Sequence, residues 1–312
     1  MPIPPAWVAL CLIEHLGAKK LRALWTHFNG DLDAILGADE RALDRVPGIG
    51  VKLAAAIKHV DVEAVAASMA RWEQAGVKLI TLGDSAYPPL LKRIPDPPPL
   101  LFVRGDLPVP MLRCAAIVGT RTPTPDALLT AKRIGYELAK RGWIIVSGLA
   151  LGIDTGGHMG ALAANAPTVA VLGCGVLNLY PPENRPLAES VTALISEVHP
   201  EAHPTPPALV ARNRLISGLS TAVIVVQTQH DGGAMHAARR AFEQGRRVFT
   251  LASDASGNQA LAEQGATVLP DADSVVAAVE AVDVNTIPQS VTVEPDTKTL
   301  TTALPPIQLS LL

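Results

Sequence analysis

The sequence predicts an α/β protein, with a doubly wound and mostly parallel sheet preceded by a small all-α region. Three observations lead there. From Cys114 onward, short continuous apolar runs recur and empty into glycine turns, as strands buried on both faces do. Segments of helical period fill the intervals between those runs. Before residue 80 the helical period stands without them, so the chain, at 312 residues, reads as a main domain plus a smaller one.

Taken in order, residues 6–28 and 31–37 read as helices. Apolar residues at Leu43, Val46, Leu53 and Ile57 then frame the turn Gly48-Ile49-Gly50 between two short helices, a pattern that looks like a helix-hairpin-helix. In that motif the turn's N–H groups and the next helix N-terminus hold a DNA phosphate without reading bases. Gly48 and Gly50 would supply the turn, and Lys52 a charge. Residues 1–80 carry nine Lys and Arg against nine Asp and Glu, however, and the pattern equally suits a helical module that contacts protein. Between residues 81 and 110 prolines become dense, at 88, 89, 95, 97–99, 108 and 110. Proline removes backbone donors and fixes φ, so this is a stiff connector with Leu100-Leu101-Phe102-Val103 as one edge strand inside it. The expected boundaries are a helical domain over 1–75, a connector over 76–112, the α/β domain over 113–282 and a mostly disordered tail over 283–312.

Within the α/β domain, strands are expected at 114–119, 143–148, 168–173, 193–198, 222–228, 246–251 and 266–270. Ala131, Ile134, Gly135, Leu138 and Ala139 recur at helical spacing and form one face against the sheet. The central stretch is Ile144 to Asp154, a strand, a tight turn and a helix start. Small residues there let N–H groups approach an anion, which the helix N-terminus favours, although a glycine turn that only packs a helix on a sheet has the same grammar. Cys114 to Arg121 and Thr168 to Gly175 repeat it. Three such turns at the carboxyl ends of parallel strands would line one crevice.

Other chemistries fit less well. Gly173-Cys174-Gly175 supplies two of the three glycines of a dinucleotide fingerprint, with Glu197 near the distance of a ribose-binding acid, but Asn178 replaces the third and Tyr180-Pro181-Pro182 stands where a helix should start. Gly152 to His158 lacks the Lys and Ser/Thr of a P-loop. His199 and His203 lie among prolines that forbid helical i, i+4 geometry, and read as solvated loop residues rather than metal ligands. Cys11, Cys114 and Cys174 are isolated, which suits a reducing compartment and no disulfide framework. No apolar run reaches membrane-spanning length, and the N-terminus lacks the pattern of a secretory leader, so a soluble cytoplasmic protein is expected. The net charge of −3 comes from the tail, where residues 271–312 carry one Lys or Arg against six Asp and Glu; residues 81–270 carry sixteen against fourteen. A local basic pocket is therefore compatible with the total. The low aromatic content, 4%, counts mildly against a stacking surface for single-stranded nucleic acid. Arg212-Asn213-Arg214, with Arg121 entering from another glycine turn, makes a binding face for a phosphodiester backbone. One of Arg212 and Arg214 is expected instead to pair internally with Asp154, Glu183 or Glu197.

At this point residues 81–270 resemble the DNA-processing protein A (DprA/Smf) family. The resemblance rests on Val118-Gly119-Thr120-Arg121 with Thr124, on Ser147-Gly148 through Gly152-Ile153-Asp154 with His158, and on Ala170 to Gly173 with Gly175 and Tyr180-Pro181. It continues through Ile195-Ser196-Glu197, Arg212-Asn213-Arg214 with Ile216 to Ser220, and Gly233, Arg239, Glu243 to Arg246 and Gly265-Ala266. It implies an extended Rossmann-like domain that binds single-stranded DNA as a homodimer and assists a RecA-type recombinase in natural transformation, without catalysis or cofactor. It also implies a sterile-alpha-motif or helix-hairpin-helix domain at the N-terminus; the winged helix that many members add at the C-terminus is not expected in a chain of this length. The DNA contacts it implies are Gly119, Thr120, Arg121, Ser147, Gly148, Gly152, Gly173, Gly175, Arg212, Asn213, Arg214, Gly232 and Gly233, joined by Gly48, Gly50 and Lys52 of the helical region.

The chain departs from the family pattern in having Val225-Val226-Gln227-Thr228 for Val-Val-Glu-Ala, Gly232-Gly233 for Ser-Gly, Leu209 for a common Phe and Pro182 for a common Lys. Losing an aromatic platform and a cation is expected to weaken DNA binding. The competing expectation from another class is a nucleoside-monophosphate phosphoribohydrolase of the lysine-decarboxylase-like kind. Its signature would fall on Asp231 to Arg239, where Met235, His236 and Arg239 replace glycine, threonine and the catalytic glutamate. A cation cannot act as that carboxylate does. A nucleotide-sensing module without catalysis is the third reading.

Overall fold

The computed structural model describes residues 3–287. Most of the tail expected to be disordered, residues 288–312, lies outside them. The chain divides into two compact units, one built from the residues up to Ser85 with Pro95–Leu101, the other from Ala86–Ile94 with the residues from Phe102 onward.

The first unit contains helices α1 (Pro5–Cys11), α2 (Ala18–His27), α3 (Leu32–Gly37), α4 (Glu40–Asp44), α5 (Val51–Lys58) and α6 (Val62–Gln74), followed by strand β1 (Val77–Thr81). Asp31, Asp39 and Asp61 accept hydrogen bonds from the N–H groups of Ala34, Ala42 and Ala64, which fixes where α3, α4 and α6 begin. The helix expected over 6–28 is in fact two. His15 takes a left-handed φ of 65°, Leu16 turns inward, and Gly17 restarts the helix as its N-cap. The core gathers Leu10, Leu21, Leu24, Ile35, Leu43, Val46, Ile49 and Ile57 around a T-shaped Trp7–Trp25 pair with ring centroids 5.5 Å apart. Gly48, at φ 81°, makes the turn into α5.

The second unit is built on strand β2 (Leu100–Gly105) from Phe102 onward and on strands β3 (Cys114–Val118), β4 (Ile144–Ser147), β5 (Thr168–Val171), β6 (Ala193–Ser196), β7 (Ala222–Val225), β8 (Arg247–Leu251) and β9 (Thr267–Leu269). Their order is β2-β6-β5-β4-β3-β7-β8-β9. Only β2 runs antiparallel within this set, Phe102 facing Ser196, while β3 lies parallel between β4 and β7 with Ala116 opposite both Val146 and Val223. From β3 the chain therefore winds outward to β6 on one side and, from β7, to β9 on the other. The carboxyl ends of β3 and β7 are where the order reverses, the place at which open α/β sheets hold ligands. Each of the seven strands expected from apolar runs is present.

Helices α7 (Pro125–Lys140), α8 (Ile153–Ala163), α9 (Arg185–Ser190), α10 (Pro206–Ala211), α11 (Asn213–Leu219), α12 (Gly233–Glu243), α13 (Ser256–Glu263) and α14 (Ala272–Glu280) complete the unit. The face of α7 expected to be buried, Ala131, Ile134, Gly135, Leu138 and Ala139, packs on Ile117, Ile145, Trp143 and Val275. Where α7 crosses α8 the two backbones touch. A Cβ on Gly135 would stand 2.5 Å from Gly157 O, and one on Gly160 would stand 2.2 Å from Lys132 O. At the end of the described chain, Ile287 is buried and its carbonyl lies 3.5 Å from an Arg93 Nη1 donor.

Candidate nucleic-acid interface

A cleft of about 550 Å³ opens at the reversal point. Its edges are the turn after β3, which carries Gly119, Thr120 and Arg121, and the N-terminus of α12, which carries Gly232, Gly233 and Ala234. Asp154, Arg212 and Asn213 contribute polar groups to its lining, while Val118, Leu209, Val210, Ile216 and Ala237 make it apolar in part and Tyr180 contributes a ring. Gly233 and Ala234 begin an eleven-residue helix whose first N–H groups have no side-chain cap, so its partial positive charge is left uncancelled. Arg121 is exposed and has no ion-pair or hydrogen-bond partner among the described residues.

The floor is a buried electrostatic network. The turn after β4 places Leu149 at a left-handed φ of 61° and Gly152 at 81°, which folds the chain back on itself. Asp154 thereby reaches the N–H groups of Gly148 at 3.0 Å and Ala150 at 3.3 Å. The anion held by this glycine turn is the protein's own carboxylate. Burial pushes the Asp154 carboxyl above its usual range, against the attraction of Arg212 and the two N–H donors. Arg212, at the junction of α10 and α11, is 7% exposed and donates from Nη1 to Gly148 O, at 2.6 Å, and to Val171 O. Burial lowers its pKa, opposed by Asp154. Arg214 pairs with Glu197. Both arginines are thus committed internally, where one was expected to be.

Behind this floor, His158 is fully buried. Its Nδ1 lies 2.7 Å from Thr168 Oγ1, whose own proton goes to Ile145 O, and its Nε2 has no partner. The Nδ1–H tautomer follows, since the hydroxyl is left only as an acceptor. Burial, with the nearby Arg212 charge adding to it, lowers the His158 pKa to about 3.

The sixteen candidate contacts separate into four groups. Gly119, Thr120, Arg121, Arg212, Asn213, Gly232 and Gly233 line the cleft, and Gly152 packs against the Thr120–Arg121 backbone beside it. Ser147, Gly148, Gly173 and Gly175 are interior: Ser147 donates to Ile117 O at 2.5 Å, Gly148 faces the Arg212 guanidinium, and the space a Cβ would need at Gly173 and Gly175 is filled by the backbones of Leu209 and Pro200. Arg214 is held at Glu197. Gly48, Gly50 and Lys52 belong to the other unit, all exposed, with the Lys20 side chain 3.5 Å from where a Cβ on Gly48 would be. Sequence reasoning passed over the wall formed by Tyr180, Pro206 and Val210; the Tyr180-Pro181 pair was its one visible signal. Among the described residues no group of three or more His, Cys, Asp or Glu could hold a metal ion, and no helix is long and apolar enough to cross a membrane.

A mostly parallel sheet with a part-apolar cleft at its reversal point, lined by a helix N-terminus without a side-chain cap and an unpaired arginine, defines a Rossmann-like protein whose cleft has the charge to suit an anion. The particular family follows from comparison. Residues 78–280 match the model of the DNA recombination-mediator protein A family, and the chain belongs to that family. It is 38% identical over 216 residues, 66% of this chain and 73% of the relative, to DNA processing protein DprA of Bacillus subtilis. The structure of DNA processing protein A from Streptococcus pneumoniae superposes with a TM-score of 0.74 at 27% identity, covering 89% of this chain and 98% of that one. That of Helicobacter pylori DNA processing protein A, described for its single-stranded DNA binding mode, gives 0.59 at 29% identity over 65% and 95% of the two chains. The phosphoribohydrolase alternative is not favoured by these matches. Met235 is buried and Arg239 exposed where its signature would need glycine and glutamate.

Proposed function

We propose that this protein binds single-stranded DNA in the cleft at the β3/β7 reversal and mediates recombination of that DNA, as a homodimer that assists loading of a RecA-type recombinase in natural transformation. The observation that carries the reading is the unpaired Arg121 beside the uncapped N-terminus of α12. A phosphodiester is an anion that both would attract, and neither is neutralised by another described residue. Family membership supports the remaining parts: the recombinase partner, the dimer, action without catalysis or cofactor, and a cytoplasmic setting. Gly119, Thr120, Arg121, Gly232 and Gly233 are the proposed strand contacts, with Arg212 holding the cleft's floor in place. Gly48, Gly50 and Lys52 are proposed as a separate phosphate contact on the helical unit, indifferent to base sequence.

Fluorescence anisotropy with single-stranded and duplex oligonucleotides at several salt concentrations tests this reading. Arg121→Ala is expected to weaken single-strand binding for every sequence and to reduce the salt slope by about one. A folded Arg121→Ala variant with unchanged affinity and slope would remove the cleft from the site. Lys52→Glu is expected to lower duplex affinity more than single-strand affinity.

A further inference from the structure

At the edge of the sheet opposite the cleft, another arginine is buried without a counter-charge. Arg246 ends the turn between α12 and β8, at the amino end of the strand, and is 4% exposed. Its Nη2 donates to Leu90 O at 2.9 Å and to Gly218 O at 3.1 Å, while Nε and Nη1, both buried, have no hydrogen-bond partner among the described residues. Buried donors are ordinarily satisfied, because an unmade hydrogen bond out of reach of water is costly. Two carbonyls, moreover, leave the charge of the guanidinium unpaired, and a buried cation is ordinarily paired.

The charged neighbour that Arg246 does have is a second cation. Leu90 O accepts from the main-chain N–H of Arg93 at 3.2 Å as well as from Arg246, so both residues converge on one carbonyl. Arg93 is partly buried, and its Nη1 reaches Ile287 O at 3.5 Å, the long limit of a hydrogen bond. Burial, with the Arg93 charge adding to it, pushes the Arg246 pKa down to about 10, with no carboxylate to oppose it. Arg212 is the contrast: it is buried too, but Asp154 faces it.

We propose that Arg93 and Arg246 form a binding site for a small oxyanion, inorganic phosphate being its simplest form, separate from the strand-binding cleft. An oxyanion supplies acceptors for the unmade donors and a negative charge for two positive ones. It binds the folded chain, where the two cations are held together, and not the unfolded one, so its binding stabilises the fold. Size selects the ligand. Arg93 is the member of the pair open to solvent and Arg246 the covered one, so a free phosphate or carboxylate group reaches both, and a phosphodiester flanked by its sugars does not.

Thermal unfolding of the full chain, followed by circular dichroism at constant ionic strength while chloride is replaced by inorganic phosphate or by acetate, tests the site. At about ten times its dissociation constant the bound anion is expected to raise the melting temperature by about 3–6 °C, saturably. A rise with phosphate alone identifies a tetrahedral oxyanion, and an equal rise with acetate a carboxylate. Arg121→Ala, which removes the cation of the cleft, is expected to keep the rise, and Arg93→Gln to lose its saturable part. Phosphate also stabilises proteins by exclusion from their surface, an effect that Arg93→Gln shares with wild-type protein. Arg93→Glu places a carboxylate beside Arg246 within the chain, and is expected to melt above wild-type protein in chloride and to gain nothing saturable from phosphate. The proposal is overturned if neither anion raises the wild-type melting temperature beyond its value in chloride, or if the rise is equal in Arg93→Gln or vanishes with Arg121→Ala. An Arg93→Glu variant as sensitive to phosphate as wild-type protein overturns it as well.

Discussion

Replacing Arg212 by Met separates support of the cleft from contact with DNA. Its guanidinium is buried, bonded to the carbonyls of Gly148 and Val171, and opposes the desolvation of Asp154. Met keeps the aliphatic volume but leaves two buried carbonyls short of a donor and a carboxylate without its cation. Breaking such a buried charge arrangement costs about 3–5 kcal/mol. At roughly 2–4 °C per kcal/mol for a unit of this size, the melting temperature is expected to fall by about 6–20 °C. Adding Asp154→Asn to Arg212→Met removes the stranded charge while an amide oxygen still accepts from Gly148 and Ala150, so the double variant is expected to recover part of the loss. Calorimetry or thermal circular dichroism of wild type, both single variants and the double variant reads the coupling. If Arg212→Met melted with wild-type protein while losing strand binding, the guanidinium would be a DNA contact and its place in the floor incidental.

Two further outcomes follow from the same interior. Gly160→Ala puts a methyl group 2.2 Å from Lys132 O and is expected to destabilise by about 1–3 kcal/mol, visible as a lower denaturation midpoint; an unchanged midpoint would mean that α7 and α8 can separate freely. His158 has a folded pKa of about 3, below its ordinary 6.5, so its neutral form is the one the fold accepts and the unfolded chain binds more protons between these values. Its stabilisation is complete above about pH 6.5 and is lost progressively as pH falls toward 3. His158→Gln is expected to flatten that part of the stability-versus-pH curve, and an equally steep curve would assign the acid sensitivity elsewhere.

Strands β3, β4 and β5 were legible because each is a buried apolar run ending in a glycine turn, two signals that agree, while β6, β7 and β8 were legible from their apolar runs alone. The buried face of α7 was legible from period alone. Strand β1 was not, since five residues beside a proline-dense stretch look like part of a connector. Nor was the break at His15, where the period continues across a left-handed residue that nothing local demands. At the cleft the limit lay in side-chain direction. Arg121 and Arg212 are the same residue type, and the bend at the α10–α11 junction turns Arg212 inward while Arg121 stays exposed. In sequence the Gly148 to Gly152 turn suits a guest anion, and Asp154 stands at a helix start as a possible partner for an arginine. That its carboxylate would fill the turn depends on the left-handed Leu149, which sequence pattern does not announce.

The contact of α7 with α8 has a bearing on how quickly DNA is captured. Gly135, Gly157 and Gly160 let two main chains meet with no side chains between them, and α8 grows directly out of the turn beside Arg121. Main-chain atoms in contact have no rotamers to exchange, so the neighbourhood of the cleft is rigid before any strand arrives. Ordering costs that a mobile loop would incur on association are absent on this side. For a strand bound in the proposed cleft, capture is expected to be a single encounter step, its rate governed by charge and ionic strength rather than by a slower rearrangement, with differences between strands expressed in how long they stay.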